Sequence, residues 1–270
     1  MQEQHLDASV ILTYREGATP DRRENLHATL AWLAATPGFD VVVVEQDRLP
    51  RLRADLPHPR CRVLFAYNAG AFNKSWGLNV GARTVRSPVL VFSDADLIVE
   101  GMLARIVALC LASYQVVKPY RRLIDLTPAE TELVRAGAHD FQAERPRDAP
   151  PNREALAEVL PLCGGMFAIR ADAFARLGGW DERFRGWGGE DDALTYKVQR
   201  ARLPTVELDD RAALHLWHPR VVESMSGQPH YRNNCELLAR YRRYSDPELR
   251  RLAEVQRQLL GHREKYRPAP

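Results

Sequence analysis

The chain has 270 residues, of which 45% are hydrophobic, 38 are lysine or arginine and 35 are aspartate or glutamate. The net charge of +3 is too small to indicate nucleic acid as a main partner, and no run approaches the roughly 18 apolar residues of an integral membrane segment. The four cysteines lie far apart with no CxxC pair, which indicates reduced thiols in a cytoplasmic protein. Nothing in the composition indicates the oligomeric state.

Strands and helices alternate through the first hundred residues. Short apolar, β-branched runs predict buried strands at 8–14, 39–45, 61–67 and 88–96, and helical spacing predicts helices at 25–35 and 73–84. This alternation predicts an α/β fold with a doubly wound, mostly parallel sheet. Ligands of such sheets bind beyond the carboxyl ends of the strands. Polar side chains at three of these ends, at 14–15, 45–46 and 94–96, are therefore expected to converge on one edge.

The second half of the chain adds further elements around a polar insert. The pattern predicts helices at 102–111, 128–136 and 190–201, strands at 114–119 and 161–170, and a basic helical segment from Tyr231 onward. Residues 125–160 include a proline-rich stretch. A long polar connection inside a compact domain is either a lid or a disordered insert.

A glycine-rich stretch at 163–192 combines features of a binding site. Glycine is favoured where φ is positive or where another group approaches the backbone closely. Trp187 lies between glycines, which leaves its indole face free to meet a flat ligand. The carboxylates of Glu190, Asp191 and Asp192 repel one another unless a cation, a helix N-terminus or a proton-transfer task offsets the repulsion. An acidic triplet alone is more often the first turn of an exposed helix, but with these neighbours it predicts the floor of a site for a polar, ring-shaped substrate.

A second group of residues has the chemistry of a metal site. Asp94 and Asp96 flank one residue at the end of a predicted strand, and alternate residues of a strand face the same side. Both carboxylates can therefore reach one divalent cation, and oxygen ligands suit Mg²⁺ or Mn²⁺. His215 and His218 add two imidazoles, which favour Mn²⁺, and His218 is the preferred ligand of the two. An ion with so few protein ligands usually completes its shell with phosphate oxygens of a substrate.

Taken in order, these segments resemble the GT-A glycosyltransferases, most closely the β-1,4-galactosyltransferase-like group and its bacterial family 2 relatives. The similarity covers about residues 8–220. It is carried by Val44-Glu-Gln, Phe72-Asn-Lys-Ser-Trp-Gly-Leu-Asn-Val-Gly, Phe92-Ser-Asp-Ala-Asp-Leu-Ile, Cys163-Gly-Gly-Met-Phe-Ala-Ile, Gly186-Trp-Gly-Gly-Glu-Asp-Asp and His215-Leu-Trp-His.

The resemblance implies a GT-A fold, in which a Rossmann-like nucleotide-binding half joins an acceptor-binding half. On this interpretation residues 1–225 form the catalytic domain. The nucleotide-sugar half spans about 1–100, the acceptor half spans about 101–225 with a flexible insert at 125–160, and a basic helical extension covers 226–270.

The resemblance also implies a function: inverting, metal-dependent transfer of a hexose or N-acetylhexosamine from a UDP-sugar to an acceptor hydroxyl on a carbohydrate or small-molecule glycoside. Asp191 corresponds to the general base, and crowding by Glu190 and Asp192 is expected to raise its pKa. The other implied roles are nucleotide-sugar binding by Arg15, Glu45, Phe72, Lys74, Asp94, Gly164 and Gly165, metal binding by Asp96, His218 and His215, acceptor binding by Trp187 and Asp192, and support of the base by Glu190. Relatives can carry methionine at the position of His215.

Two points stay open from the sequence. Leu162 and Cys163 stand where galactosyl-specific relatives tend to have aromatic residues, so an N-acetyl group has room and UDP-GalNAc or UDP-GlcNAc competes with UDP-Gal and UDP-Glc. The alternative functions are a nucleotidyltransferase or a non-catalytic sugar-binding protein of the same fold. The segment 70–75 lacks the second glycine of a P-loop and no GxGxxG is present, which disfavours the first alternative and a dinucleotide cofactor.

Overall fold

A computed structural model describes residues 8–52, 56–139, 153–154, 162, 165–219, 227 and 229–267. The strands in these ranges are β1 (Ala8–Tyr14), β2 (Asp40–Asp47), β3 (Cys61–Tyr67), β4 (Val89–Ser93), β5 (Leu97–Ile98), β6 (Val116–Lys118), β7 (Arg122–Asp125), β8 (Arg153–Glu154), β9 (Phe167–Arg170), β10 (Thr205–Glu207) and β11 (Ala213–His215). The helices are α1 (Asp21–Ala34), α2 (Lys74–Ala82), α3 (Leu103–Ala112), α4 (Pro128–Arg135), α5 (Ala171–Arg176), α6 (Glu190–Arg200), α7 (Tyr231–Arg243) and α8 (Asp246–Leu259).

A seven-stranded sheet in the order β10-β6-β9-β4-β1-β2-β3 forms the centre of the molecule. Its neighbouring strands are parallel, except that β9 runs antiparallel to β4 and to β6. The residues of β1 and β4 are all buried, which agrees with their largely apolar sequences because both faces of such a strand are covered. The predicted α/β fold with a mostly parallel, doubly wound sheet is confirmed.

The convergence of three strand ends is also confirmed. Tyr14 at the end of β1 is paired with Glu45 near the end of β2, and Leu12 is paired with Ser93 at the end of β4. The residues that follow β1, β2 and β4 therefore emerge at one edge of the sheet.

A smaller four-stranded sheet, in the order β5-β11-β7-β8, completes this edge. β11 lies antiparallel to β5, so that His215 is paired with Leu97, and parallel to β7, so that His215 is also paired with Asp125. This sheet brings the segment after Asp96 together with the histidines more than one hundred residues later.

Some element boundaries differ from those predicted. Helix α1 begins at Asp21 rather than Asn25, because the acidic residues of its first turn interact favourably with the helix N-terminus. Strand β9 begins at Phe167, several residues after the predicted start of that strand. The basic C-terminal segment is two helices, because Ser245 begins α8 with a capping box. Residues 140–152 and 155–160 of the predicted insert lie outside the described residues.

The end of the described chain packs against helix α2. The Asn73 side chain donates a hydrogen bond to the Tyr266 hydroxyl at 2.9 Å, and the Trp76 indole donates to the His262 carbonyl at 2.9 Å. Lys265 lies 2.6 Å from Glu182, which belongs to the glycine-rich stretch. Residues 261–267 therefore support the start of α2 from behind. Each helix in the described ranges is too short or too polar to cross a lipid bilayer.

Candidate active site

The glycine-rich stretch is anchored to the start of α2. The Gly186 N–H donates to the Phe72 carbonyl at 2.7 Å, and the Asn73 side chain donates to the Glu182 carbonyl at 2.8 Å. Gly189, the residue that precedes α6, has a φ of +92°, and a β-carbon there would lie 2.7 Å from the ring of Phe184. Only glycine fits both conditions, so the sequence at this point fixes where α6 begins.

Lys74 links two segments that the sequence places far apart. Its ammonium lies 2.8 Å from a carboxylate oxygen of Asp94 and 3.2 Å from one of Asp191. Burial alone would lower the pKa of Lys74, but the charges of Asp191 and Asp94 outweigh this and raise its pKa well above the usual value. The ammonium group of Lys74 therefore pairs with both the DxD motif and the acidic triplet.

Two carboxyl groups of the acidic triplet have raised pKa values. Burial and the charge of Asp191 raise the pKa of Glu190 to about 8, although Lys74 opposes the shift. Burial also raises the pKa of Asp192. Oxygen Oε2 of Glu190 is buried and has no hydrogen-bond partner within the part of the chain that the structure describes. A pKa of about 8 keeps Glu190 largely protonated near neutral pH, next to the Asp191 carboxylate that pairs with Lys74.

The raised pKa of Glu190 predicts a specific pH dependence of stability. Because the pKa is about 8 in the folded protein and near 4.5 in the unfolded chain, the folded state binds the extra proton and loses stability as the pH rises from about 4.5 to 8. Glu190→Gln removes this ionisation. We expect the variant to exceed wild type in free energy of unfolding by about 2–4 kcal/mol at pH 9 and to lie close to it at pH 4. Urea unfolding across this pH range measures the difference, and Glu254→Gln, at an exposed position, is the control. Parallel stability curves for all three proteins would contradict the prediction.

Asp96, His215 and His218 have the geometry of a cation site. One possible ligand atom from each of the three residues lies within 4.8 Å of the others. The Asp96 carboxylate lies 3.7 Å from Nε2 of His215 and 3.4 Å from Nε2 of His218. Burial lowers the pKa of His218, although the charge of Asp96 opposes the shift, and a neutral imidazole is the form that binds metal ions. The structure brings the predicted ligands together, including His215.

Helix α1 supports both halves of this cluster. Thr29 donates a hydrogen bond to the carbonyl of Ala95 at 3.1 Å, and Asn25, one turn earlier, donates to the carbonyl of Trp217 at 2.9 Å. Both side chains are fully buried. The Leu216 N–H donates directly to the carbonyl of Asp96 at 2.8 Å. The DxD segment and the histidine segment are thus fixed to each other and to one helix.

The residues predicted to bind the nucleotide differ in burial and in hydrogen-bond partners. The guanidinium of Arg15 lies 5.6 Å from the centre of the Phe72 ring and donates to the carbonyls of Gln46, Asn68 and Gly70. The Glu45 carboxylate is completely buried, and one of its oxygens accepts hydrogen bonds from the N–H groups of Arg51 and Leu52. A cavity of about 340 Å³ lies here; its lining includes Arg15, Asp47, Arg48, Arg51 and Asn68.

Of the pair Gly164-Gly165, the structure describes only Gly165. A β-carbon on Gly165 would lie 1.4 Å from the hydroxyl of Tyr120, so a side chain at this position would displace that ring. Leu162 is buried, and its N–H donates to the Thr195 hydroxyl at 3.0 Å. Gly164 and Cys163 lie outside the described residues.

Trp187 is exposed over 46% of its surface, and its ring lies 6.1 Å from that of Tyr231 at an angle of 30°. The Trp187 carbonyl accepts a hydrogen bond from Asn234 at 2.9 Å. Helix α7 thus contributes a second aromatic ring beside Trp187. No sequence pattern indicates this contact beyond the aromatic residue at the start of the helix.

The chain is similar to known proteins in both sequence and structure. The sequence model of a family described as the N-terminal domain of galactosyltransferase matches residues 158–218, which include the acidic triplet and both histidines. A solved structure of GalNAc-T7 with UDP, GalNAc and Mn²⁺ has a TM-score of 0.55 at 16% identity, over 92% of this chain and 54% of that one. The fold is that of the GT-A glycosyltransferases. The resemblance recognised in the sequence is therefore confirmed.

Curated relatives of this GT-A chain include two glucosyltransferases. Validoxylamine A glucosyltransferase of Streptomyces hygroscopicus subsp. limoneus is 27% identical over 240 residues, which are 80% of this chain and 52% of the relative. The protein of the same description from Streptomyces hygroscopicus subsp. jinggangensis (strain 5008) is 27% identical over 243 residues, 80% of this chain and 56% of the relative. The chain spans about half the length of the curated relatives it matches. These similarities support a glycosyltransferase of the galactosyltransferase-like GT-A type.

Two kinds of site residue in this GT-A fold could not be found by motif. Asn25 and Thr29 are polar residues on the buried face of α1, whose other buried residues are apolar, and this polarity is the only signal they carry. Asp125 ends a short strand with no motif around it, yet its carboxylate lies 2.9 Å from Nδ1 of His215.

Proposed function

We propose that this protein is an inverting glycosyltransferase that moves a sugar from a UDP-sugar to a hydroxyl of a carbohydrate or small-molecule glycoside. One observation carries the proposal: the DxD segment, the histidine segment and the acidic triplet meet at one edge of the sheet. Asp94 is joined to Asp191 through Lys74, and Asp96 lies beside both histidines. These contacts support a donor-binding group, a cation site and a base that would act side by side.

Asp96, His215 and His218 would hold the divalent cation, and their mixed oxygen and nitrogen ligands fit Mn²⁺ better than Mg²⁺. When bound, the cation offsets the charge that develops on the departing diphosphate. The fit rests on the arrangement of the imidazoles, because the Nδ1 atoms of His215 and His218 face Asp125 and the Pro219 carbonyl while their Nε2 atoms face Asp96.

Asp191 is the proposed general base. Inverting transfer requires a base that removes the acceptor proton on the face of the donor sugar opposite the leaving group. The Asp191 carboxylate lies 3.2 Å from the Lys74 ammonium and is the group of the triplet that would accept that proton. Glu190, with its raised pKa, would be protonated and would orient the base or a sugar hydroxyl, and Asp192 would bind the acceptor.

The donor would bind on the side of Asp94 and the acceptor on the side of Asp191, the two carboxylates that Lys74 contacts. On the donor side, Arg15, Phe72 and the cavity at the ends of β1 and β2 are the proposed nucleotide site, with Gly165 close to the sugar. Glu45 would act there indirectly, through the backbone of residues 51–52 that it holds. On the acceptor side, the exposed ring of Trp187 offers a surface for a sugar ring.

An assay with a set of UDP-sugar donors is the direct test of this proposal. Purified protein is incubated with UDP-Glc, UDP-Gal, UDP-GlcNAc or UDP-GalNAc, with Mn²⁺ or EDTA, and with acceptors that include validoxylamine A, and the release of UDP is measured. We expect release that depends on Mn²⁺ and on one of these donors. Strict preference for UDP-Gal would contradict the idea that Leu162 and Cys163 leave room for an N-acetyl group.

Calorimetry separates this function from the alternatives. UDP binding that requires Mn²⁺ supports the glycosyltransferase. Tight binding of nucleoside triphosphates without release of UDP from any donor would support a nucleotidyltransferase instead, and glycan binding without metal would support a non-catalytic sugar-binding protein.

A further inference from the structure

Both nitrogens of the His215 ring face a carboxylate. Nε2 lies 3.7 Å from Oδ1 of Asp96, and Nδ1 lies 2.9 Å from Oδ1 of Asp125. A neutral imidazole carries one N–H and one lone pair, and the hydrogen bond made by one nitrogen decides which nitrogen holds the proton. The short contact with Asp125 places the proton on Nδ1. The lone pair of Nε2 is then directed toward Asp96.

The backbone fixes this contact. Asp125 is the last residue of β7 and is paired with His215 in the parallel pairing of β7 with β11. The Leu126 N–H donates to the His215 carbonyl at 2.9 Å, which holds the pairing at the position where both side chains occur. Paired residues on neighbouring strands present their side chains on the same face of the sheet. The carboxylate and the imidazole are therefore brought together by the sheet rather than by a flexible loop.

We propose that Asp125 is a positioning residue of the cation site, which fixes the tautomer and the ring orientation of His215 and strengthens its Nε2 as a ligand. The inference rests on the metal site in the proposed function. Carboxylates that accept a hydrogen bond from a metal-binding imidazole have this effect in metalloproteins, and their loss typically weakens metal binding about 10- to 100-fold. His218 has a different support, since its Nδ1 lies 3.1 Å from the carbonyl of Pro219. Asp125 thus acts on one of the two histidines only.

Titration of the metal-free protein with Mn²⁺ alone tests the role of Asp125 without any sugar transfer. Free Mn²⁺ is measured by electron paramagnetic resonance for the wild type and for variants. We expect Asp125→Ala to raise the Kd for Mn²⁺ by about 10- to 100-fold, and Asp125→Asn, which keeps an acceptor oxygen, to raise it by less than about fivefold. Asp210→Ala is the matched control, because Asp210 is also a partly exposed aspartate but pairs with Arg105.

A double-mutant cycle distinguishes positioning from a general effect of charge or stability. In a His215→Ala background, Asp125→Ala is expected to change the Kd by less than about twofold, because the ring that it orients is gone. Equal weakening by Asp125→Asn and Asp125→Ala, or the same loss with and without His215, would overturn the proposal. A wild-type protein that takes up no Mn²⁺ would overturn both the cation site and the role of Asp125. Mn²⁺ binding with the expected pattern but without sugar transfer would contradict only the proposed function.

Discussion

Asp191→Asn is expected to lower the turnover of sugar transfer by about 10²- to 10⁴-fold, the range over which a positioned general base contributes to rate. The amide has nearly the size of the carboxylate but cannot accept the acceptor proton. The affinities for Mn²⁺ and UDP are expected to stay within about threefold of wild type, because Asp191 is not one of the three residues of the proposed cation site. Initial rates of UDP release and calorimetric titration measure the two quantities.

Asp192→Asn is the matched control for this experiment, since it places the same change at the next position of helix α6. We expect it to raise the KM for the acceptor more than it lowers kcat. Wild-type turnover in Asp191→Asn, or an equal loss of kcat in both variants, would show that Asp191 is not the base.

Lys74→Met is expected to lower the free energy of unfolding. The substitution leaves the carboxylates of Asp94 and Asp191 facing each other without the cation that joins them. Removal of one partner from a largely buried charge cluster costs about 3–5 kcal/mol. The loss is expected to be smaller at pH 5 than at pH 8, because the carboxylates can take up protons once the ammonium is gone. Urea unfolding at the two pH values measures this difference.

The wild-type contribution of Lys74 has a defined pH range. Its pKa is raised in the folded protein, so its stabilising effect is complete below the usual lysine pKa of 10.5 and is lost only as the pH rises through the raised value. Lys74→Arg keeps the positive charge and is expected to retain most of the stability. If Lys74→Met is as stable as wild type at pH 8, the three charges do not form the cluster that the structure describes.

The sheet and the converging strand ends could be predicted because their determinants are local. A strand buried on both faces is largely apolar, as β1 and β4 are, and the motif Asp94-Ala-Asp96 directly follows such a strand. The acidic start of α6 could also be predicted, because Gly189 and the carboxylates after it are adjacent in sequence. These features needed no knowledge of how distant segments pair.

The remaining features of the site depend on distant pairings. Lys74 meets Asp191 across 117 positions, and no pattern in either segment encodes that distance. Asp125 reaches His215 only because β7 and β11 lie side by side in the smaller sheet, which the strand patterns did not indicate. The sequence therefore predicted the chemical groups of the site, whereas their partners and their charge states required the three-dimensional fold.

The two hydrogen bonds from helix α1 have a mechanical consequence. Asn25 and Thr29 lie one turn apart on the same helix. Each donates a hydrogen bond to a backbone carbonyl next to a proposed cation ligand. We expect the distance between Asp96 and His218 to stay nearly constant when the sheet edge moves, because both hydrogen bonds come from one turn of the same helix. Helix α1 would then preserve the shape of the proposed cation site without contributing a ligand.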